Sequence, residues 1–364
     1  MTSNPQPPRR SVRNRIVKLH RWLGLGAALF WLVQAITGTL LSFHFELEDM
    51  ALSGGHRPTD PAAIERRIDS FASDGAEAGI TWIWTTAGLP DRYIILFAGA
   101  DGTQRKAYID GAGDILRDRA ADDYSFLALV REIHLTLAAG TLGHWLLAVS
   151  GLLLFTNLIF GIVAAWPRRG QWRSVLKPVG STGKTAGLYS WHRAVGLWAA
   201  VPAIVIAGTG TLILFEHPLR DLARVPDIAL PANPPAGPTV GFAAARQAAV
   251  EAIPGSRFVG TTFPSAQDAS YYAWVRAPGE LYRGGYGGSL VIVDANTGDV
   301  RGAWPATQAG PARAIIASFY PLHTGESLGT FGRILTMSLG VWLTVTIILG
   351  TWLWFRRRSR GSAA

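Results

Sequence analysis

The chain has no cysteine among its 364 residues. That excludes disulfides, iron–sulfur clusters, thiolate-held haem and the C-x-x-C-H attachment of c-type haem, so transition-metal chemistry would fall to histidine. Charge is also scarce, at 16% Asp, Glu, Lys and Arg against 49% hydrophobic residues. It is missing altogether from four runs, 22–45, 145–166, 194–215 and 334–355. Each run is long enough to cross a ~30 Å hydrocarbon core as a helix. The first is too long for a signal peptide and no clean small-residue cleavage site follows it, so it reads as a retained span.

Compact metal and nucleotide motifs are missing too. No H-x-x-x-H or H-E-x-x-H pair occurs, and the closest histidines, His134 and His144, are ten residues apart. "VGSTGKT", residues 179–185, ends like a phosphate-binding loop, but the position that needs the first glycine is Pro178. No G-x-G-x-x-G follows a strand, so the chain carries no visible nicotinamide or flavin domain and any reductant comes from elsewhere.

The net charge of +9 is too orderly to be a nucleic-acid signature. Sixteen of the 34 basic residues fall in residues 1–21, 166–193 and 356–364, where none of the 25 acidic residues is found. The two long loops are therefore net acidic, and the excess of Lys and Arg in the short segments places both termini and the middle loop in the cytoplasm. The expected order is a cytoplasmic N-terminus 1–21, helices over 22–45, 144–166, 194–216 and 333–355, external segments 46–143 and 217–332, a cytoplasmic loop 167–193 and a tail 356–364.

The chain also repeats itself. At an offset of 172, His20–Phe43 aligns without gaps on His192–Phe215 with thirteen of twenty-four positions identical, including His-Arg and Thr-Gly-Thr-Leu. At an offset of 189, His134 falls on His323, Gly151 on Gly340 and Gly161 on Gly350. Both copies enter from the same side, which makes them parallel repeats about an axis along the membrane normal. Each external segment offers a helical stretch (Asp60 to Ser73, Gly241 to Ile253), alternating strands, and a hairpin ending "KAYIDGAGDILRD" or "LVIVDANTGDVRG". The expected fold is a four-helix transmembrane bundle with two external α+β domains, internally duplicated, in which only the third helix is kinked, at Pro202.

Eight histidines occur, and the repeat retains two pairs, His20/His192 and His134/His323. A pseudo-twofold axis sets equivalent side chains opposite each other, and two opposed imidazoles are what a six-coordinate b-type haem requires. Gly24 and Gly196, one turn after their histidines, would leave room for a flat macrocycle or allow close helix packing. His20 and His44 are ~36 Å apart along a helix and cannot share one iron. The scheme is one haem on His20 and His192 near the cytoplasmic side and one on His134 and His323 near the external side, with His44, His144 or His217 as substitutes. Arg21 and Arg193 could pair with propionates or simply anchor the helices. A non-haem metal is the second option, since imidazole suits several metals. The acids beside the outer histidines, Glu46, Glu132, Glu216 and Glu326, could orient imidazoles or bind a ferric substrate. Trp145, Trp304 and Tyr320 could line an exit or form the interfacial belt.

"LHRWLGL", "WHRAVGL", "LHTGESLGTFGRIL", "YIDGAGDIL" and "IVDANTGDV" resemble the PepSY-associated transmembrane-helix family, over about Arg15 to Arg358. The resemblance implies a bacterial inner-membrane protein with four helices and periplasmic PepSY-like modules. In the branch that reduces ferric siderophores it implies two b-type haems held by helix histidines, with His20, His134, His192 and His323 on the recurring positions. The expected activity is transfer of electrons from a quinol or a cytoplasmic flavin reductase to a periplasmic ferric siderophore, releasing Fe(II). The rival expectation is a non-enzymatic membrane protein whose PepSY modules bind or restrain a partner. A transporter is disfavoured because no charge lies in a span and no helix is expected to be broken in both repeats.

Overall fold

The computed structural model describes residues 12–52, 54–73, 79–86, 91–123, 125–235, 237–281 and 287–361. Arg9 and Arg10 of the basic N-terminal run lie outside the described residues. Along the chain come α1 (Val12–Gly26), α2 (Ala28–Leu41), α3 (His44–Met50), α4 (Pro61–Ser73), β1 (Ile80–Thr85), β2 (Arg92–Ala98), β3 (Gln104–Asp110), β4 (Ile115–Ala120), α5 (Phe126–Thr136) and α6 (Gly140–Ala165). There follow α7 (Trp172–Val175), α8 (Thr185–Trp198), α9 (Ala200–Leu214), α10 (Glu216–Leu222), α11 (Phe242–Ala252), β5 (Arg257–Thr262), β6 (Ser270–Arg276), β7 (Ser289–Asp294), β8 (Val300–Trp304), α12 (Pro311–Thr324) and α13 (Gly329–Gly361). The chain divides into a helical unit, residues 1–42, 129–216 and 322–364, and a second unit, 43–128 and 217–321.

In the helical unit, α6 and residues 326–359 are each long and apolar enough to cross a membrane. Two further helix pairs are long and apolar enough only when each is taken together, and each pair is bent. α1 and α2 meet at 66°, and α8 and α9 at 63°. The expectation of an unbroken first helix with a kink in the third alone is thus corrected. The breaks fall at Ala27 and Ala199, 172 residues apart, each with a non-helical ψ near zero. Pro202 explains the second, because it has no N–H to offer the Trp198 carbonyl. At the first, Gly24 and Gly26 precede Ala27 and weaken the helix without a proline. Among the described residues the helices also extend ahead of the apolar runs, covering Val12 onward in α1 and Thr185 onward in α8. Hydropathy marks only the greasy part of a helix, so His20 and His192 sit inside α1 and α8 rather than at a threshold.

The second and fourth spans differ in the same sense. His134 and His323, expected in loops, end the helices α5 and α12. Turns with left-handed backbone then lead into α6 and α13, at Leu137, Ala138 and Gly140 in one case and Gly325 and Gly329 in the other. Within the unit α2 packs on α13, α9 on α6, α1 on α6 and α8 on α13. Arg333, at the start of α13, is 8% exposed. It donates from Nε and Nη2 to the Ser42 carbonyl at 3.0 and 2.8 Å, satisfying a group that the end of α2 leaves open.

The second unit corrects the expectation of two separate α+β domains. Its strands form one antiparallel sheet in the order β4-β3-β2-β1-β5-β6-β7-β8. The halves join where β1 pairs with β5, Trp82 opposite Thr262 and Trp84 opposite Gly260. Alternate residues such as Ile95, Phe97, Ala273, Val275, Val291 and Val293 form one core with Ile64 and Ile68 of α4 and Ala245 and Ala249 of α11, as the two-residue period of strands requires. Tyr271 donates its hydroxyl to the Val240 carbonyl at 2.9 Å, and burial pushes its phenol up to about 12, so it remains a donor at neutral pH.

Both hairpins close on an aspartate. Asp110 Oδ1 accepts from the amides of Ala112 and Asp114 at 2.9 and 3.0 Å, and Asp294 Oδ1 from Asn296 at 2.9 Å. Asp110 is 2% exposed. Its other oxygen takes the Arg57 Nε at 2.5 Å. Arg57 also pairs with the Asp114 carboxylate and holds it below the usual carboxylate range. Replacing Asp110 by Ala leaves two turn amides unpartnered, so Asp110→Ala should destabilise this unit by about 1–3 kcal/mol, read as a lower urea midpoint of tryptophan fluorescence for the full chain in detergent, while Asp299→Ala should have little effect.

Candidate functional site

Four histidines of the helical unit form two facing pairs. The ring centres of His20 and His192 are 6.3 Å apart, with the planes at 39°. Those of His134 and His323 are 6.4 Å apart, at 26°. Helices far apart in the chain present these side chains: α1 and α8 for the first pair, α5 and α12 for the second.

Each ring lies against a glycine of a neighbouring helix. A Cβ added at Gly161 would stand 3.1 Å from Cε1 of His20, at Gly350 2.9 Å from that of His192, at Gly38 3.0 Å from that of His134, and at Gly210 2.5 Å from that of His323. The missing side chain is what lets the imidazole lie flat on the helix backbone. Sequence reasoning credited Gly24 and Gly196 with making room, and both do line the first site. It missed these four, although Gly161 and Gly350, like Gly38 and Gly210, coincide when the sequence is laid on itself.

The same contact fixes the ring protons. His20 Nδ1 lies 3.1 Å from the Asn157 carbonyl, and His323 Nδ1 2.9 Å from the Ile206 carbonyl. A carbonyl can only accept, so both Nδ1 atoms carry hydrogen and both Nε2 atoms keep a lone pair. His134 Nδ1 lies 2.9 Å from Thr37 Oγ1, whose own proton goes to the Val33 carbonyl at 2.7 Å. The threonine oxygen is therefore an acceptor too, and His134 has the same tautomer. At His192 the corresponding group is the Thr346 carbonyl, but Nδ1 makes no hydrogen bond of good geometry among the described residues. An Nδ1–H held by backbone is the usual arrangement of a histidine whose other nitrogen binds a metal.

His144 behaves differently. Its Nε2 contacts the Leu214 carbonyl at 3.1 Å, so here Nε2 is the donor, and its ring packs edge-on to Trp145. It stands with neither pair. His44 and His217 belong to the second unit, on α3 and α10, where the His44 ring packs on Phe45. Glu132 accepts a hydrogen bond from Thr136 rather than from an imidazole, and Glu326 is 4% exposed. Trp145 packs edge-on to Phe215 in the helical unit, whereas Trp304 and Tyr320 belong to the other.

The first pair opens on a cavity of about 460 Å³, within the usual range for a small-molecule site. Apolar side chains including Leu154, Ile162 and Leu343 line it, together with Gly24, Gly196 and the guanidinium-bearing Arg21 and Arg193. Asn157, 7% exposed in α6, also lines it, and among the described residues its Oδ1 makes no hydrogen bond.

Two imidazole nitrogens bonded at about 2.0 Å to opposite sides of one metal, each about 1.1 Å from its ring centre, put the centres about 6.2 Å apart. Both observed separations match this value. Among the described residues no group of three His, Cys, Asp or Glu is placed to hold a metal ion. A metal between either pair needs its remaining donors from a non-protein ligand, and a planar tetrapyrrole supplies four of them. The residues present thus fit a bis-histidine haem better than a bare ion.

Alanine at the facing glycines gains about 1 kcal/mol of helix propensity but costs about 1–3 kcal/mol where it overpacks the ring. The balance should turn with the spacing. Gly210→Ala should lower the thermal unfolding temperature most and Gly161→Ala least, with Gly350→Ala and Gly38→Ala between them, when the four variants are melted side by side in detergent.

No individually curated protein matches the chain. The family model described as PepSY-associated TM region matches residues 17–357, nearly the whole length, including all four paired histidines and their glycines. This membrane protein belongs to the PepSY-associated TM region family.

Proposed function

We propose that this protein is a duplicated four-helix inner-membrane protein that holds two b-type haems and conducts electrons across the membrane to reduce a ferric siderophore outside. The observation that carries the reading is the pair of imidazole spacings, 6.3 and 6.4 Å, each compatible with one six-coordinate iron. Support also comes from the ring protons, which leave Nε2 of His20, His134 and His323 available as donors. The duplication is supported by contacts that recur at the offsets of the sequence repeat, His20 on Gly161 with His192 on Gly350, and His134 on Gly38 with His323 on Gly210.

When bound, the haem iron would supply reversible one-electron chemistry. The residues of the chain supply position and environment. The His20 and Gly38 stations lie on the order of 20 Å apart along bent α1–α2, so neither pair alone reaches across a ~30 Å core. Gly161, Gly350, Gly38 and Gly210 seat the four rings, and the backbone carbonyls of Asn157 and Ile206 orient two of them. Apolar side chains such as Leu154, Ile162 and Leu343 form much of the wall of the His20–His192 cavity. The excess of Arg and Lys at the termini and middle loop supports a cytoplasmic position for that pair, where a quinol or a flavin reductase would deliver electrons. The His134–His323 pair then serves the periplasmic side. Fe(III) is held by hard oxygen ligands far more tightly than Fe(II), so its reduction releases the metal from a siderophore.

Both spans that break at Ala27 and Ala199 remain free of charged residues between 22 and 41 and between 194 and 214. The transporter reading loses one objection and keeps the other.

Protein purified from haem-replete cells should show a Soret band and, after dithionite, sharpened α and β bands, with two haems per chain. His20→Ala and His192→Ala should each remove the same haem, and His134→Ala and His323→Ala the other. The reduced protein should reoxidise when a ferric siderophore is added. A colourless preparation would overturn the reading and favour a partner-binding role for the second unit.

A further inference from the structure

The His20–His192 cavity is lined by Arg21, Arg193, Arg357 and Arg358, and by no Asp or Glu. An occupant of so basic a cavity brings negative charge with it, and the two propionates of a haem are carboxylates. The inference that follows rests on the haem reading. Position in the sequence singles out Arg21 and Arg193, each next to a histidine of the pair. The contacts of their guanidiniums do not treat them alike.

Arg193 is already engaged. Its Nε and Nη2 both donate to the Ala165 carbonyl, at 3.1 and 2.9 Å, which places its charge on an open group at the C-terminal end of α6. That edge of the fork, the one a carboxylate would grip with two parallel bonds, is used. Arg357 is held otherwise. Its guanidinium carbon sits 5.5 Å from the centre of the Tyr189 ring, and its charge reaches the His192 imidazole. Stacking on an aromatic face occupies no N–H, so all the in-plane donors remain for a bidentate carboxylate. Its neighbours also stack, Arg356 over Trp352 and Arg358 over Trp354, but Arg356 spends a donor on the Gly183 carbonyl and Arg358 is engaged by a further partner. Arg21 lies over the Trp22 ring at 5.7 Å and, among the described residues, likewise spends no N–H on a partner.

We propose that Arg357, from the end of α13, and Arg21, from α1, are the carboxylate-binding pair of this cavity, and that Arg193 is a staple between α8 and the end of α6. The tail of the last helix is then part of the cofactor site rather than only a topological anchor. The arrangement also makes the ends of the chain meet on one ligand, so the site is complete only after α13 has been inserted.

The test uses the full chain, produced under haem limitation and placed in phosphatidylcholine nanodiscs, titrated with hemin and with hemin dimethyl ester, whose carboxylates are blocked. Charge-assisted bidentate bonds are strong enough that Arg357→Gln should weaken hemin binding roughly tenfold or more. Ester binding should barely change, Arg357→Lys should restore part of the loss, and Arg193→Gln should leave the ratio of hemin to ester affinity as in the unaltered chain while lowering the unfolding temperature. An Arg357→Gln variant with the unaltered ratio, or a ratio that collapses in Arg193→Gln, overturns the proposal. So does an effect of Arg357→Gln seen only when the discs contain phosphatidylglycerol, which would assign the guanidinium to a lipid headgroup. If neither porphyrin binds the unaltered chain, the haem reading itself fails, an outcome recognisable because no Soret shift appears with any variant.

Discussion

The contact on which the helical unit turns is an imidazole lying on a glycine, with its Nδ1 directed at backbone one turn away. In an apolar bundle a neutral imidazole must place one N–H, and leaving it unpaired costs about 1–3 kcal/mol or more. Backbone carbonyls inside a helix are already used once but have a second lone pair. A histidine can reach that lone pair only where the helix surface is bare, and glycine makes it bare. His20 on Gly161 and His323 on Gly210 show the full arrangement, with Asn157 and Ile206, each four residues before the glycine, as acceptors. The proton is thereby fixed on Nδ1, and what remains is a nitrogen lone pair in a low-dielectric setting, which is a metal ligand in waiting.

His144 is the useful contrast. It is a histidine in the same unit with a similar carbonyl partner, yet Nε2 is the atom that meets Leu214. The same residue type and the same bond give the opposite tautomer. Position on the helix, rather than the presence of a histidine near a membrane surface, separates the four paired rings from the others. The unequal surroundings of His20 and His192 also matter, because Nδ1 of the first meets the Asn157 carbonyl whereas Nδ1 of the second makes no hydrogen bond of good geometry among the described residues. The two halves of that site are related by sequence but are not chemically identical.

Much of this was legible in the sequence, for specific reasons. The pairing of His20 with His192 and of His134 with His323 followed from laying the chain on itself, because an internal repeat carries three-dimensional information that a single motif does not. The breaks at Ala27 and Ala199 were not foreseen at the first position. A proline announces a lost hydrogen bond, whereas Gly24 and Gly26 only lower its resistance to bending. The hairpins were read correctly from "KAYIDGAGDILRD" and "LVIVDANTGDVRG", since the turn chemistry of Asp110-Gly111 and Asn296-Thr297-Gly298 is local. The union of both external segments in one sheet was not, because pairing of β1 with β5 depends on contacts about 180 residues apart, and neither Trp82 nor Thr262 signals its partner. The tautomers were equally hidden, since they depend on which carbonyl or hydroxyl oxygen the folded chain brings to each Nδ1.

The central claim is that each histidine pair is a ligand set for one iron. Low-temperature electron paramagnetic resonance of the oxidised protein tests it most directly, because two imidazoles on one ferric haem leave it low-spin. The account predicts two distinct low-spin ferric signals of equal intensity, together accounting for two haems per chain. A dominant high-spin signal, or no haem signal from protein made in haem-replete cells, would contradict it.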